Sequence, residues 1–242
     1  MPSLRFVLTL LAVIVLPTAA LVNDALANPL CGLNSVFCFY SAGTITSTDS
    51  LKSCSDLYSA SSYDLIHGIL TTRFQNPTVA PNSQGSASVA TVDQYRVEGV
   101  SPGTPVVFAA ELDVSLNVYG YECPPPGYLT ATSASATLKE GDSNQSSVSI
   151  VTPVTCLTWG CCAQAKSLRT VLKVTVTRSA GEPFTLHFGL ATSGHGSGQG
   201  SGQLRFSALP PGAYVVSCQG YRQDSVTEAK RMSWGGIKIL YR

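Results

Sequence analysis

Residues 203–221, with the sequence QLRFSALPPGAYVVSCQGY, constrain the fold of this chain more than any other stretch. Apolar and polar side chains alternate on both sides of a Pro-Pro-Gly turn, with Leu204 and Phe206 on the apolar face of the first segment. A period of two is that of a β-strand with one buried face. Pro211 presets φ for the first central position of a type II turn, and Gly212 accepts the positive φ of the second. The stretch predicts a β-hairpin and a β-rich fold.

The same alternation recurs in two further stretches that begin alike. Residues 101–106 (SPGTPV) resemble residues 179–184 (SAGEPF), and each precedes an alternating strand that starts at a proline. Proline fits the first position of a strand because it cannot donate to the ladder. We interpret the two copies as corresponding hairpins in two packed sheets. The predicted apolar faces are Val106, Phe108, Ala110, Leu112 and Val114 in the first copy, and Phe184, Leu186, Phe188 and Leu190 in the second.

Further short strands follow with no amphipathic helix between them. They are predicted at residues 128–138, 148–154 and 168–178. The glycine-rich and serine-rich run 193–202 predicts a flexible surface loop. Many short strands at close spacing are typical of a sandwich, so we expect an all-β fold, an antiparallel β-sandwich of jelly-roll-like type.

Two stretches leave alternatives open. Residues 62–74 predict a strand with Gly68 as a bulge, and a short helix over 55–66 is the competing interpretation. Residues 86–99 predict either a strand pair or one bent strand, broken near the polar pair that starts at Asp93.

The N-terminus has the features of an export signal. Residues 6–16 form an uninterrupted apolar run behind Arg5, too short to span a bilayer comfortably, and residues 25–27 (ALA) offer a small-x-small cleavage site. We expect the mature protein to be secreted or held at the cell surface, with the periplasm as an alternative. The predicted division is a signal peptide at 1–27, an irregular cysteine-containing segment at 28–60, a β-sandwich domain at 61–225 and a C-terminal tail at 226–242.

All eight cysteines follow the predicted signal peptide. Exported chains meet an oxidising compartment, so this even count predicts up to four disulfides that stabilise the sandwich. We expect Cys123 to bond to a cysteine at 156–162, because both regions follow strands that would end on one side of a sandwich. A zinc site is the less favoured alternative, since C-x4-C-C is not the paired C-x2-C of such sites. The disulfide candidates are Cys31, Cys38, Cys54, Cys123, Cys156, Cys161, Cys162 and Cys218.

Three motifs resemble those of exported bacterial β-sandwich proteins of unknown role. They are FAAELDV at 108–114, GEPFTL at 181–186 and LRFSALPPGAYVVSCQG at 204–220, the last similar to an F-x-x-L-P-x-G-A-x-V-x-S pattern in final strands. The ending WGGIKILYR at 234–242 also resembles a W-G-x-I-K-x-x-Y-R tail of secreted bacterial proteins. The resemblance implies a β-sandwich and export, and no activity. We expect the apolar tail either to dock on the sandwich or to act as a sorting signal.

Few residues form a catalytic or metal-binding pattern. Glu111 and Asp113 lie on one strand face at about 7 Å, a spacing compatible with a glycosidase acid and base. Acidic residues in such positions are usually solvated or paired with cations, which favours a structural role. The three histidines, His67, His187 and His195, fit no recognised catalytic or metal-binding spacing. We therefore expect no enzymatic activity, no metal and no cofactor.

The aromatic residues give the best candidate for ligand binding. Tyr119, Tyr121 and Tyr128 flank a Cys-Pro-Pro-Pro-Gly segment, and Trp159 lies within 156–162. Together they would form a stacking platform for sugar rings or a protein partner, or else cover a disulfide. A net charge of +1 with 12% charged residues indicates no nucleic-acid partner. We expect a secreted, non-catalytic protein with a structural or surface-interaction role towards a glycan or a cell-surface protein; the alternatives are a carbohydrate-binding module and, second, an extracellular hydrolase.

Overall fold

The computed structural model describes residues 35–40, 43–47, 51–55, 58–75, 85–122, 131–142, 144–152 and 162–225. Of these, the residues within 35–47, 51–54, 121–122 and 162–163 are described by their backbone alone. Within these residues the chain forms fourteen strands and no helix. The strands are β1 (Ser35–Tyr40), β2 (Gly43–Ser47), β3 (Leu51–Ser55), β4 (Ser59–Asp64), β5 (Ile69–Gln75), β6 (Gly85–Glu98), β7 (Pro105–Glu122), β8 (Ser133–Glu140), β9 (Asn144–Val151), β10 (Cys162–Ser179), β11 (Pro183–Gly194), β12 (Ser197–Ser207), β13 (Tyr214–Ser217) and β14 (Arg222–Asp224).

The strands form two antiparallel sheets that pack face to face. The first sheet has the order β14-β13-β6-β11-β8-β9, with β1 also paired to β6 and β2 to β1. The second has the order β10-β7-β12-β5-β4-β3. The predicted all-β class and antiparallel two-sheet packing are therefore confirmed. The described part of residues 28–60 is not irregular, because β1, β2 and β3 lie there and extend both sheets.

The core lies between the sheets and contains the predicted apolar faces. All nine side chains assigned to these faces are at most 3% exposed. Aromatic rings concentrate at one end, where Tyr95, Phe108, Phe184, Phe206 and Tyr221 pack with ring centroids 5.4 to 6.3 Å apart. Burial of one such large apolar side chain contributes about 1.5 to 3 kcal/mol, so these buried faces contribute strongly to the stability of the fold.

The predicted turn at 203–221 is correct, but the predicted hairpin is wrong. The Ala213 amide donates to the Pro210 carbonyl at 3.0 Å, and Gly212 has φ of +80°, as a type II turn requires. The flanking strands nevertheless belong to different sheets, because β12 pairs with β5 and β7 whereas β13 pairs with β6 and β14. Both strands bury one face in the same core from opposite sides. The alternation of apolar and polar residues shows which face of a strand is buried, but it does not show which strand is its partner.

The hairpins predicted at 101–106 and 179–184 are wrong for the same reason. Their strands, β7 and β11, do lie in different sheets as expected. Each preceding loop, however, passes from one sheet to the other and does not close a hairpin. The two loops bond to each other, with the Gly103 amide donating to Ala180 O at 3.0 Å and the Ala180 amide to Thr104 O at 2.8 Å. They therefore tie the two sheets together at one end.

The flexible loop predicted at 193–202 is wrong. Most of this run is strand, with β11 ending at Gly194 and β12 beginning at Ser197. Gly198, Gly200 and Gly202 face the core, where side chains of neighbouring strands already fill the space. A Cβ on Gly198 would lie 2.4 Å from Phe74 Cε1. Composition suggested flexibility, whereas the glycines serve close packing.

The two open alternatives are also settled. Residues 62–74 belong to two strands, β4 and β5, joined by a turn at 65–68 in which Gly68 has φ of +67°, so neither one bulged strand nor a helix forms there. β6 runs without interruption from Gly85 to Glu98. Asp93 does not break it, and its side chain is fully buried in the core. The polar residue Asp93 is therefore a buried carboxylate within one strand and does not mark a break between two strands.

Candidate functional site

The outer face of the second sheet carries ordered rows of polar side chains. Because β10, β7, β12 and β5 pair in register, equivalent positions line up across the sheet about 4.8 Å apart. One row contains Ser167, Asn117, Gln199 and Arg73. The next contains Arg169, Ser115, Ser201 and Thr71, and Thr71 bonds to Ser62 Oγ at 2.6 Å. The face therefore offers hydroxyl, amide and guanidinium groups on a regular grid.

Two shallow depressions adjoin along this face and cross the same four strands. The first, of about 380 Å³, is lined by Tyr119, Asn117, Gln199 and Arg73 among others. The second, of about 410 Å³, is lined by residues that include Asp113, Arg169 and Arg205. β7 and β12 lie between β10 and β5 in the sheet, so they supply the floor of both depressions, and β10 and β5 flank it. We call the two depressions together the polar groove.

The carboxylate pair expected on β7 lies in and beside the polar groove, where cations hold both members. Ser207 donates to Glu111 Oε1 at 2.6 Å and is the main cause that lowers the pKa of this carboxyl, and Lys173 Nζ lies 3.0 Å from the same oxygen. Asp113 Oδ2 lies 3.7 Å from an Arg169 nitrogen and 3.9 Å from one of Arg205. A glycosidase acid needs a raised pKa so that it stays protonated at neutral pH. Glu111 has the opposite shift, which supports the structural interpretation of this pair.

The three histidines are dispersed. His67 is 68% exposed in the turn after β4, with Nδ1 2.6 Å from Asp64 Oδ2. His187 lies on the outward positions of β11 in the first sheet, and His195 lies in the short connection between β11 and β12. Within the described ranges no three His, Cys, Asp or Glu side chains converge as a metal site would require.

The aromatic platform falls mainly outside the described residues. Tyr128 and Trp159 both lie outside them, and so does the side chain of Tyr121, whose backbone pairs with Ala163 at the end of β7. Tyr119, two residues earlier on β7, does line the polar groove. Cys31, Cys123, Cys156 and Cys161 also lie outside the described ranges.

Sequence analysis missed most residues of the polar groove. The outward positions of β7 were recognisable from alternation, and they include Asn117 and Tyr119. Gln199 and Ser201 were hidden because residues 193–202 were interpreted as a loop. Arg73 joins them only through the pairing of β5 with β12, which no local pattern reveals. In residues 197–203 polar side chains alternate with glycines, and this period of two was the signal that would have identified β12 as a strand.

The fold and site together define an antiparallel β-sandwich with a polar groove on one sheet. No protein-family model and no curated protein matches the chain. Among solved structures it is similar to TmCBM61, determined in complex with β-1,4-galactotriose, at 9% identity over 60% of this chain and 69% of that one, with a TM-score of 0.24. A likeness this distant supports no conclusion about ligand or activity. In the part of the chain that the structure describes, no helix has the length and apolarity needed to cross a membrane.

Proposed function

We propose that this is an exported, non-catalytic binding protein that uses the polar groove to hold an extended glycan at or outside the cell surface. The observation that carries the proposal is the composition of the groove, in which hydroxyl and amide side chains such as Asn117, Gln199 and Ser201 point outward from neighbouring strands. Each of these groups can both donate and accept hydrogen bonds, as sugar hydroxyls do. Tyr119 adds an aromatic ring at one end, where a sugar ring can stack.

A glycan fits the groove better than a protein partner. Protein interfaces usually have an apolar core surrounded by a polar rim. In the groove, the outward-facing side chains of the two middle strands, β7 and β12, are polar apart from the ring of Tyr119. The apolar Ile69 and Ala165 lie on the flanking strands β5 and β10. A general surface-interaction role with a cell-surface protein is the second candidate function, favoured by the exposed side chains of Val107 and Val171 on the same sheet.

The absence of catalysis is part of the proposal and is supported by the engaged carboxylates. Glu111 and Asp113 are held by cations, and the pKa of Glu111 is lowered, so this pair is suited to fixing neighbouring side chains in place. An extracellular hydrolase would need one of them free to donate a proton.

Export, oxidised cysteines and a jelly-roll-like topology complete the proposal. Two observations support oxidation. The first is that Cys218 is disulfide-bonded. The second is that the pairing of β7 with β10 ends with Cys162 opposite Glu122, and Glu122 directly precedes Cys123 in the sequence. This register supports a bond between Cys123 and the 156–162 region.

The binding role is tested with purified mature protein, a panel of soluble neutral and charged glycans, and two matched double variants. Asn117→Ala with Gln199→Ala removes two register neighbours from the groove, whereas Thr137→Ala with Ser147→Ala removes two exposed register neighbours from the first sheet. We expect the first pair to weaken glycan binding by about 1 to 3 kcal/mol and the second to leave it unchanged. Equal effects from both pairs would refute the assignment of the site.

The aromatic platform and the lack of turnover are tested alongside. If Trp159 contributes to the same site, Trp159→Ala should weaken glycan binding by about 1 to 3 kcal/mol. Glycoside, ester and peptide substrates should show no turnover. Turnover that disappears in the Glu111→Gln, Asp113→Asn double variant would show that the protein is an enzyme.

A further inference from the structure

The polar groove carries an uneven distribution of charge. Its lining contains three guanidinium groups, those of Arg73, Arg169 and Arg205, against the single carboxylate of Asp113. The whole chain has a net charge of only +1, so this excess is a local feature of the groove. A local excess of fixed positive charge favours an anionic ligand.

The guanidinium groups keep much of their capacity to donate hydrogen bonds. Asp113 is shared between Arg169 and Arg205 at 3.7 and 3.9 Å, distances longer than a hydrogen bond. Arg169 is 80% exposed and Arg205 57% exposed. Arg73 bonds to Gln75 Oε1 at 3.4 Å and has no carboxylate partner among the described residues. Each guanidinium has five N–H donors, so donors remain for a ligand.

The spacing of these groups indicates a chain of anions and not a single one. Arg73 pairs in register with Gln199 on β12, and Arg205 lies six residues further along that strand, a distance of about 20 Å at about 3.3 Å per residue. Arg169 lies between these levels, on the opposite wall formed by β10. No small anion reaches all three.

We propose that the ligand of the polar groove is a polyanionic glycan whose units carry carboxylates, that is, a uronate polymer; this inference rests on the proposed glycan-binding function. A planar carboxylate matches the fork of a guanidinium, which binds it through two parallel hydrogen bonds. The hydroxyl and amide groups between the arginines contact the sugar hydroxyls.

An acidic peptide is the competing polyanion, and the structure disfavours it. β7, β12 and β5 are each paired on both sides, so the backbone of the groove floor is already engaged and cannot bind a peptide as an added strand. The groove therefore recognises its ligand through side chains alone. A uronate chain presents polar groups on every unit, whereas a peptide such as polyglutamate presents charge without hydroxyls.

The test compares oligogalacturonate and oligomannuronate with their methyl esters, which keep the sugar backbone but lose the charge. By calorimetry with the mature protein, we expect at least one acid form to bind about tenfold or more tightly than its ester, with a marked loss of affinity as salt rises. Arg73→Gln, Arg169→Gln and Arg205→Gln should each weaken binding of the acid by about tenfold while changing binding of the ester little. Arg222→Gln, at a 59% exposed arginine of the first sheet, is the matched control and should change neither.

The possible outcomes separate this inference from the proposed function. If acid and ester bind equally, or only neutral glycans bind, the inference is overturned and the binding function stands. If polyglutamate binds as tightly as the uronates, the groove recognises charge alone and the inference is overturned. If no glycan of either kind binds, both proposals are overturned. Thermal denaturation of each variant verifies that loss of binding is not loss of folding.

Discussion

Replacement of Asp93 by Asn should stabilise the protein at neutral pH. Asp93 lies on β6 with its side chain fully buried between the sheets. Oδ1 accepts the Gln94 amide at 2.8 Å, while no group of the described residues is placed to form a hydrogen bond with Oδ2. Burial raises the pKa of Asp93 from 3.8 to about 6, and the nearby hydroxyls of Ser217 and Tyr95 offset this only in part. The ionised carboxylate is therefore a cost to folding.

The magnitude follows from linkage between proton binding and folding. The folded protein holds the Asp93 proton more tightly than the unfolded chain does, so the stabilising contribution is complete below pH 3.8 and is lost as the pH rises through about 6. At about 1.4 kcal/mol per pH unit, the change from 3.8 to about 6 corresponds to about 3 kcal/mol. Asn keeps an acceptor for the Gln94 amide and carries no charge at any pH. We expect Asp93→Asn to exceed the wild type in stability by up to about 3 kcal/mol above pH 6.

Urea denaturation of both proteins from pH 3.5 to 8 measures this difference. The gap between the variant and the wild type should open between about pH 4 and 6 and stay constant above it. Asp142→Asn is the control, because it makes the same chemical change at a fully exposed side chain in the turn after β8. It should leave the curve unchanged. A gap that does not depend on pH, or a variant no more stable than the wild type at pH 8, would refute the reasoning.

Three further predictions concern packing, export and oxidation. Gly198→Ala should destabilise the protein by about 1 to 3 kcal/mol in urea denaturation, because its Cβ would lie 2.4 Å from the Phe74 ring, whereas Ser201→Ala on the outward side of the same strand should change stability by less than about 0.5 kcal/mol. Intact mass of exported protein should show that residues 1–27 are removed, and a mass that still includes them would contradict the signal-peptide prediction. Peptide mapping without reductant should find most of the eight cysteines in disulfides, each contributing about 2 to 5 kcal/mol, and eight free thiols would overturn this.

Strand faces were predictable from the sequence, whereas sheet membership was not. Phe108 and Leu186 were placed correctly on buried faces because a period of two depends only on which side meets the core. The same period is produced by a hairpin and by a connection that crosses between sheets. The turn at Pro211 and Gly212 was therefore predicted with its correct geometry while the two strands it joins were assigned to one sheet. Partner choice depends on contacts far along the chain, which local patterns do not encode.

The site was harder to predict because its residues come from four strands. Glu111 and Asp113 were recognised together, since two positions on one strand suffice to place them on the same face. Arg73 and Arg169 are separated by almost a hundred positions, and only the order β10-β7-β12-β5 brings them to opposite walls of one groove. Compositional reasoning also misled, because the glycines next to Gln199 made a floor strand resemble a loop.

The composition of β12 connects the stability of the fold to the proposed binding role. On its inner side, Gly198 and Gly200 provide no apolar side chains, and the core there is filled by Phe74 and Thr72 from β5. Around these two glycines stability therefore comes from the neighbouring strands, whereas further along β12 its own Leu204 and Phe206 are buried in the core. The outward positions of β12 contribute little to the core. Gln199 and Ser201 can be substituted at small cost to folding, since exposed polar side chains away from such packing usually change stability by no more than about 0.5 kcal/mol. The inner face of β12 is consequently constrained by packing, and its outer face is free to vary with the ligand.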